Sequence, residues 1–223
     1  MSNDIPQPSD EQLAAMSREE LVELGGRIDA RWRAVNYDEA GFTDIAVDGL
    51  QAVDCPSAFF HTVTAWALAD QAIAPQIDPE AMFGQPPICL YVNPLQTFYI
   101  QALVWLDATT SVHRHGFSGA FKVVEGESLH ARHDFEATDP VNARIVFGKL
   151  RYRDAEVLSV GDVRPIIRGD AGIHAVFHLR RPSITLVVRT MGDTTTGPQY
   201  DYLRPHLAVD PFYKSPRLQR NLQ

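Results

Sequence analysis

The sequence predicts a mainly β protein whose strands form a jelly-roll barrel behind an N-terminal helical extension. From Ile88 onward, about ten short runs rich in β-branched and aromatic residues are separated by Gly, Asp, Pro and Asn at hairpin-like distances. Many short strands at even spacing favour a double-sheet jelly roll or a small barrel. The helical patterns come before the strands and do not alternate with them, which argues against a doubly wound parallel sheet.

The change from helical patterns to strand patterns divides the chain into three segments. Residues 1–87 are predicted to form a helical extension that packs on the barrel, and residues 88–191 the barrel itself. Residues 192–223 return to an irregular pattern that contains several tyrosines, and we expect them to wrap over the barrel or cover its mouth as a lid. The length of 223 residues suits one sizeable domain with additions.

Two helices are predicted in the extension. The first carries an apolar stripe at helical spacing that runs through Val35 and consists of Leu21, Leu24, Ile28, Trp32 and Val35. The second begins at Ser57 as N-cap, continues through an apolar stretch to Ile73, and ends at Pro75.

Composition excludes several classes of function. The formal net charge of −8 without a basic cluster argues against nucleic-acid binding. No apolar run reaches the roughly 18 residues that a membrane-spanning helix needs, and the N-terminus lacks the pattern of a signal peptide. Two cysteines, Cys55 and Cys89, form neither a disulfide framework nor a metal clip. These features favour a soluble cytoplasmic protein.

Three histidines form the main candidate site. His113 and His115 are two residues apart in SVHRHG, so on a strand both imidazoles point to the same face. His174 follows a glycine in a later strand, GIHAVFH, and would complete a set of three nitrogen ligands if that strand folds back opposite the first. The alternative is two solvated imidazoles on an exposed strand and one histidine packed in the core.

These motifs also resemble those of the cupins. His113-x-His115 with Gly126 is similar to the first cupin motif, and Gly161-Asp162-x-x-Pro165 with Gly172-Ile173-His174 is similar to the second. Within that superfamily, HRHGFSGAFKVVEGE most resembles the cysteine-dioxygenase-like (thiol dioxygenase) branch. The resemblance covers roughly residues 88–190. It implies a double-stranded β-helix barrel with a mononuclear ferrous iron, Fe(II), on His113, His115 and His174, and open positions for substrate and dioxygen.

The departures from that branch disfavour a standard cysteine dioxygenase. Many cupins have a glutamate ligand where this chain has Gly119 and Ala120, and Ala120 also occupies the place of the cross-linked cysteine of mammalian-type enzymes. The arginine that binds the substrate carboxylate would lie near Val92 and is absent. The outer Ser–His–Tyr group would fall at Thr185, Val187 and Arg189, which retain one hydroxyl.

Strand alternation predicts further residues of the pocket. Thr185 and Arg189 share one strand face, and an inward Arg189 could bind a carboxylate or a metal-bound anion, although a solvated arginine fits the pattern equally well. Gln101 lies in an apolar strand, where a buried amide needs a polar partner. His178 shares the face of His174 and is either near the metal or simply packed.

Other polar residues of the barrel are predicted to lie outside the site. On a regular strand His130 and His133 point to opposite faces, so we place neither of them at the metal. Lys122 fits the solvated flank of a hairpin.

The leading hypothesis is therefore an iron-dependent, dioxygenase-like oxidoreductase that acts on a small polar metabolite and dioxygen, with Arg189, Gln101 and Thr185 in the pocket. A cupin isomerase, lyase or hydrolase would instead use zinc, nickel or manganese as a Lewis acid. A third alternative is a non-catalytic cupin that binds a small ligand or a protein. Edge strands and extra termini also fit a homodimer.

Overall fold

A computed structural model describes residues 18–54, 74, 76, 87–106, 109–192, 197–203 and 206–212. In these ranges the secondary structure comprises α1 Arg18–Ala34, α2 Glu39–Gln51, β1 Pro87–Val92, β2 Phe98–Trp105, β3 His113–Arg114, β4 Gly119–Asn142, β5 Ile145–Leu158, β6 Val163–Ile166, a short 3-10 helix Gly169–Gly172, β7 His174–Thr190, β8 Tyr200–Leu203 and β9 Leu207–Val209. The predicted second helix, Ser57 to Ile73, lies outside the described residues.

The sheet closes on itself to form a barrel. Strand pairing runs from β7 through β3, β8, β9, β5 and β4, and then returns to β7. Every described pair is antiparallel apart from one isolated bridge between His115 and Arg168. Strands β4 and β7, of 24 and 17 residues, are long enough to belong to both walls of the barrel. The predicted fold class, a mainly β jelly-roll barrel with a helical extension, is confirmed.

Side chains on the two faces of β4 and β7 pack into two separate apolar cores. Ala120, Leu186 and Val188 pack toward the helices in one cluster. Phe121 and Val187, each one residue out of phase with that set, pack in a second cluster on the other side of the sheet. Successive side chains of a strand point to opposite faces, so the helices cover one face and leave the other to the barrel interior.

Helix α1 forms as the apolar spacing predicts. Leu21, Leu24, Ile28 and Trp32 fall at helical intervals and are all buried against the sheet. The stripe ends earlier than predicted, because Val35 lies beyond the last helical residue and is 45% exposed.

Helix α2 was not predicted from the sequence. The side chain of Asp38 accepts a hydrogen bond from the amide of Ala40 and caps its first turn. Phe42, Ile45, Ala46 and Leu50 form its buried face. Two glycines, at positions 41 and 49, lower its intrinsic helix propensity, so burial against α1 and the sheet decides the structure here.

The C-terminal part of the described chain contributes to the barrel wall. An irregular segment was predicted after Gly192, whereas β8 pairs with β3, and β9 pairs with both β5 and β8. The division into segments 1–87, 88–191 and 192–223 stays a prediction. Within the described ranges no helix has the length and apolar character needed to cross a membrane.

Lys122 joins the barrel to the end of α2. It is buried, and its ammonium group donates hydrogen bonds to the carbonyl oxygens of Leu50, at 3.3 Å, and of Val53. Carbonyls at the C-terminal end of a helix carry partial negative charge and lack partners within the helix. The predicted solvated position of Lys122 is therefore wrong, because α2 covers this strand.

We expect Lys122→Met to reduce the free energy of unfolding by about 1–3 kcal/mol, since it keeps the apolar stem but removes the side-chain donor to the Val53 carbonyl and leaves Leu50 only the amide of Val53. Urea unfolding at pH 7 measures this. Lys149→Met removes an exposed lysine of β5 and is the matched control, with an expected change within about 0.5 kcal/mol. Equal effects of the two substitutions would show that the bonds to α2 contribute nothing.

Candidate metal centre

Two short structural elements bring His113, His115 and His174 together. His113 lies in β3 and pairs directly with His174, the first residue of β7. His115 is two residues beyond His113 and forms the isolated bridge to Arg168, just before the 3-10 helix that leads into His174. The strand that carries His174 thus folds back opposite the first, as the candidate site requires.

The three imidazoles are in mutual contact. Nε2 of His115 lies 2.9 Å from Nε2 of His174. The ring centroid of His113 is 4.6 Å from that of His115 and 4.7 Å from that of His174. One ring nitrogen from each residue can be chosen so that all three lie within 4.8 Å of one another. This group contains three histidines and no carboxylate.

Burial keeps these rings neutral. Burial lowers the pKa of His113, although the carbonyl of Ser111 opposes the shift. The pKa values of His115 and His174 lie well below the ordinary value, first because the rings are buried and then because neighbouring histidines would repel a charge. Neutral imidazoles keep a lone pair available for a metal cation.

The hydrogen-bond partner of His113 fixes its tautomer. Its Nδ1 lies 2.8 Å from the carbonyl oxygen of Ser111, which can only accept, so Nδ1 carries the proton. Nε2 is then left unprotonated. A bond from the second ring nitrogen to a backbone carbonyl is the usual way in which a metal-binding histidine is oriented.

The distances fit a divalent cation with little rearrangement. At metal–nitrogen bonds of about 2.1 Å, adjacent ligand nitrogens are about 3 Å apart and opposed ones about 4.2 Å. The pair at 2.9 Å has the spacing of adjacent ligands, and the widest separation of 4.8 Å needs to close only modestly. Without a cation, this contact is a hydrogen bond between two neutral rings, in which one Nε2 donates and the other accepts.

Backbone packing explains why no glutamate completes the group. A Cβ atom at Gly119 would overlap the carbonyl oxygen of Val188 on the neighbouring strand, so no side chain fits there. Ala120 is fully buried toward the helices and away from the imidazoles.

His130 contacts the site, contrary to the sequence prediction. Its Nε2 lies 2.8 Å from Nδ1 of His174, and its Nδ1 lies 3.5 Å from a carboxylate oxygen of Glu156. Arg164 donates two hydrogen bonds to that carboxylate, at 3.0 and 2.7 Å, and these bonds lower the pKa of Glu156 to about 2. A histidine, a carboxylate and an arginine therefore line up behind His174.

A β-bulge lies beside His130 and His133. The register of β4 against β5 shifts between Arg132 and His133, where β5 carries one extra residue, Arg153, and both histidines are buried. His133 is also close enough for its charge to oppose protonation of His174. No pattern in LHARH indicates that the partner strand carries an extra residue opposite it.

A cavity of about 670 Å³ opens from the three histidines into the barrel. The other predicted site residues, Gln101, Thr185 and Arg189, all line it. Gln101 and Thr185 are buried, and Trp105 donates its indole N–H to the Thr185 hydroxyl at 3.2 Å. Their contributions to function stay predictions.

Arg189 lies against aromatic rings at the histidine end of the cavity. Its guanidinium carbon is 3.3 Å from the ring centroid of Phe117 and 5.2 Å from that of Tyr99. The Phe117 ring in turn lies 4.4 Å from that of His115. Stacking holds the guanidinium in place by a cation–π interaction, and its N–H groups donate in the plane of the group.

His178 lines the cavity but does not belong to the group of three. Its ring stacks on Trp105 with centroids 4.5 Å apart, and its Nδ1 lies 3.0 Å from the hydroxyl of Ser128. Burial lowers its pKa to about 4, and the charge of Arg181 adds to the shift.

Comparisons with known proteins find only distant structural likeness. No protein-family model and no curated protein matches the chain. Among solved structures, an oxalate oxidase is 16% identical over 66% of this chain and 69% of that chain, with a TM-score of 0.32. The cupin domain of Schizosaccharomyces pombe Cnp3 is 12% identical over 52% and 68%, also at 0.32. Peruvianin-I, a cysteine peptidase from Thevetia peruviana latex, is 18% identical over 59% and 72%, at 0.34. Similarity this low decides neither family nor chemistry.

The pKa of His178 predicts a pH dependence of stability. Its folded pKa of about 4 lies below the unfolded value near 6.5, so the unfolded state binds the proton first and stability falls as pH drops through that interval. Between pH 7 and 5 we expect the wild type to lose about 1–2 kcal/mol more of its unfolding free energy than His178→Gln. Urea unfolding of both proteins at the two pH values measures this. Parallel losses would mean that His178 titrates normally.

Proposed function

We propose that the protein is a mononuclear metal-dependent oxidoreductase of the dioxygenase type, with ferrous iron held by His113, His115 and His174, that acts on a small anionic molecule. The observation that carries this proposal is the contact of three neutral imidazoles at the end of a cavity. The resemblance of their motifs to those of the cysteine-dioxygenase-like cupins supports iron over zinc, nickel or manganese.

The ligand set suits oxygen chemistry. Three protein ligands leave coordination positions open, whereas a fourth would favour a closed structural site. When bound, the iron would supply the redox chemistry that activates dioxygen. Three neutral ligands add no negative charge, so an anionic substrate is favoured.

The chain's own residues would bind and orient that substrate. Arg189 is held at the histidine end of the cavity by Phe117 and would donate to a carboxylate. Gln101 offers an amide, and Thr185 offers a hydroxyl oxygen that already accepts from Trp105. The walls of the barrel would exclude bulk water around these groups.

A standard cysteine dioxygenase remains disfavoured under this proposal. Val92 ends β1 and pairs with Tyr99, so the usual position of the carboxylate-binding arginine holds a half-buried apolar side chain. Ala120 cannot form the cysteine–tyrosine cross-link. Arg189, on a different strand, would provide the positive charge instead.

Metal content tests the proposal most directly. Protein reconstituted with ferrous iron under anaerobic conditions should hold one iron per chain, measured by elemental analysis. His113→Ala and His174→Ala should each lose most of it, because two imidazoles bind a divalent cation far more weakly than three. Oxygen uptake with a panel of small organic acids then tests the reaction type.

His206→Ala is the control, because His206 is exposed and its ring contacts the backbone of Gly148. Substoichiometric iron in the wild type, or equal iron in all variants, would refute the metal site. Turnover that persists without oxygen would instead favour a Lewis-acid isomerase or lyase.

We expect His130→Leu to weaken metal binding by about 10- to 100-fold, because it removes the polar partner of Nδ1 of His174. Competition against a fluorescent chelator with Co²⁺ measures the affinity without turnover. His130→Gln keeps a polar group at this position and should recover part of the loss. An affinity unchanged in His130→Leu would show that the contact does not orient the ligand.

A further inference from the structure

We propose that the substrate of this site is an elongated, mainly apolar carboxylic acid with a hydrogen-bonding group at its far end, such as a hydroxyaryl-alkanoic acid. Its carboxylate would lie near Arg189 and the three histidines, and its far group would contact His178. Only the choice of the reacting end rests on the proposed function; the fit of the ligand rests on the cavity itself.

The head of the cavity selects an anion. The guanidinium of Arg189 lies on the Phe117 ring, and that ring contacts the ring of His115. The positive charge is therefore one aromatic ring away from the three histidines. A carboxylate bound there would meet a fixed cation whose N–H edge is oriented by stacking.

The body of the cavity is too large and too apolar for a small polar metabolite alone. A volume of about 670 Å³ lies within the range of about 300–1,000 Å³ that holds drug-sized ligands. The apolar side chains that line it include Leu103, Phe121, Val123, Ile166, Val176 and Val187. A ligand as small as a free amino acid would leave these side chains facing water, whereas an aromatic or alkyl body would cover them.

The far end carries a polar atom that has no protein partner. His178 is only 4% exposed, and Nδ1 is accounted for by Ser128. Its Nε2 is buried and has no hydrogen-bond partner among the described residues. Buried polar atoms are nearly always paired, so an unpaired one on the wall of a cavity points to a group of the ligand.

Strand geometry sets an approximate scale for the part of the cavity that the ligand would fill. Arg189 and Thr185 are four residues apart on β7, and a rise of about 3.3 Å per residue separates them by about 13 Å. Trp105 links Thr185 to His178, because it donates to the first and stacks on the second. Side chains extend into this span from both ends, which leaves room for a ligand about as long as 3-(4-hydroxyphenyl)propionate.

Calorimetric titration with three graded acids tests this assignment. Iron-loaded protein under anaerobic conditions and metal-free protein are both titrated with propionate, 3-phenylpropionate and 3-(4-hydroxyphenyl)propionate. Burial of the ring should increase affinity by at least about tenfold over propionate. The hydroxyl should add a further factor of about three to ten in the wild type.

Two substitutions separate the ends of the ligand. His178→Phe should abolish the advantage of the hydroxyl while retaining that of the ring, and Arg189→Met should weaken all three acids but not the neutral 3-(4-hydroxyphenyl)propan-1-ol. Circular dichroism confirms folding of each variant, and if one fails to fold, the graded series in the wild type decides by itself.

The two proposals fail in different ways. Propionate that binds as tightly as 3-phenylpropionate, or an unchanged hydroxyl advantage in His178→Phe, would overturn the elongated acid even if iron is bound stoichiometrically. In a third outcome, the protein takes up no iron while its metal-free form binds the three acids in the expected order of affinity. That result would support the ligand class and refute the metal-dependent function.

Discussion

The pairing of His113 with His174 is the constraint on which the rest of the site depends. It joins a two-residue strand to the start of the long strand β7, and it sets which face of β7 points into the barrel. Side chains alternate along a strand, so a slip of one residue would turn His174 outward together with the cavity-lining face of β7. The same strand pairs with β2 and β4 over its remaining length, and these pairings hold the register.

Burial controls the charge balance of the interior. The three rings are neutral because charging them inside the barrel costs too much, and at His115 and His174 neighbouring histidines would also repel a charge. Arg189 is a fixed positive charge beside the group and disfavours protonation of His115, whereas Asp201 acts in the opposite direction on His113. A divalent cation added here would raise the positive charge further. An anionic ligand would be attracted both to Arg189 and to a bound cation.

Local patterns made part of this structure predictable. Some patterns lie within a single strand or helix and can be recognised from its few residues alone. They are the spacing of His113 and His115, the glycine near His174 and the apolar stripe of α1. Helix α2, the bulge at Arg132 and His133, the buried Lys122 and strands β8 and β9 cannot be recognised in this way, because each is decided by partners distant in sequence. His130 illustrates the limit, since its partner His174 lies 44 residues away.

The contacts of His174 link the candidate metal site to strands that carry none of its ligands. Nε2 of His115 and Nε2 of His174 lie 2.9 Å apart, a hydrogen bond between neutral rings, and Nδ1 of His174 contacts His130 on its other side. A metal ion would replace this hydrogen bond with bonds to both nitrogens and would bind the folded chain in preference to the unfolded one. Because Glu156 and Arg164 extend this contact to β5 and β6, the gain would extend beyond β3 and β7.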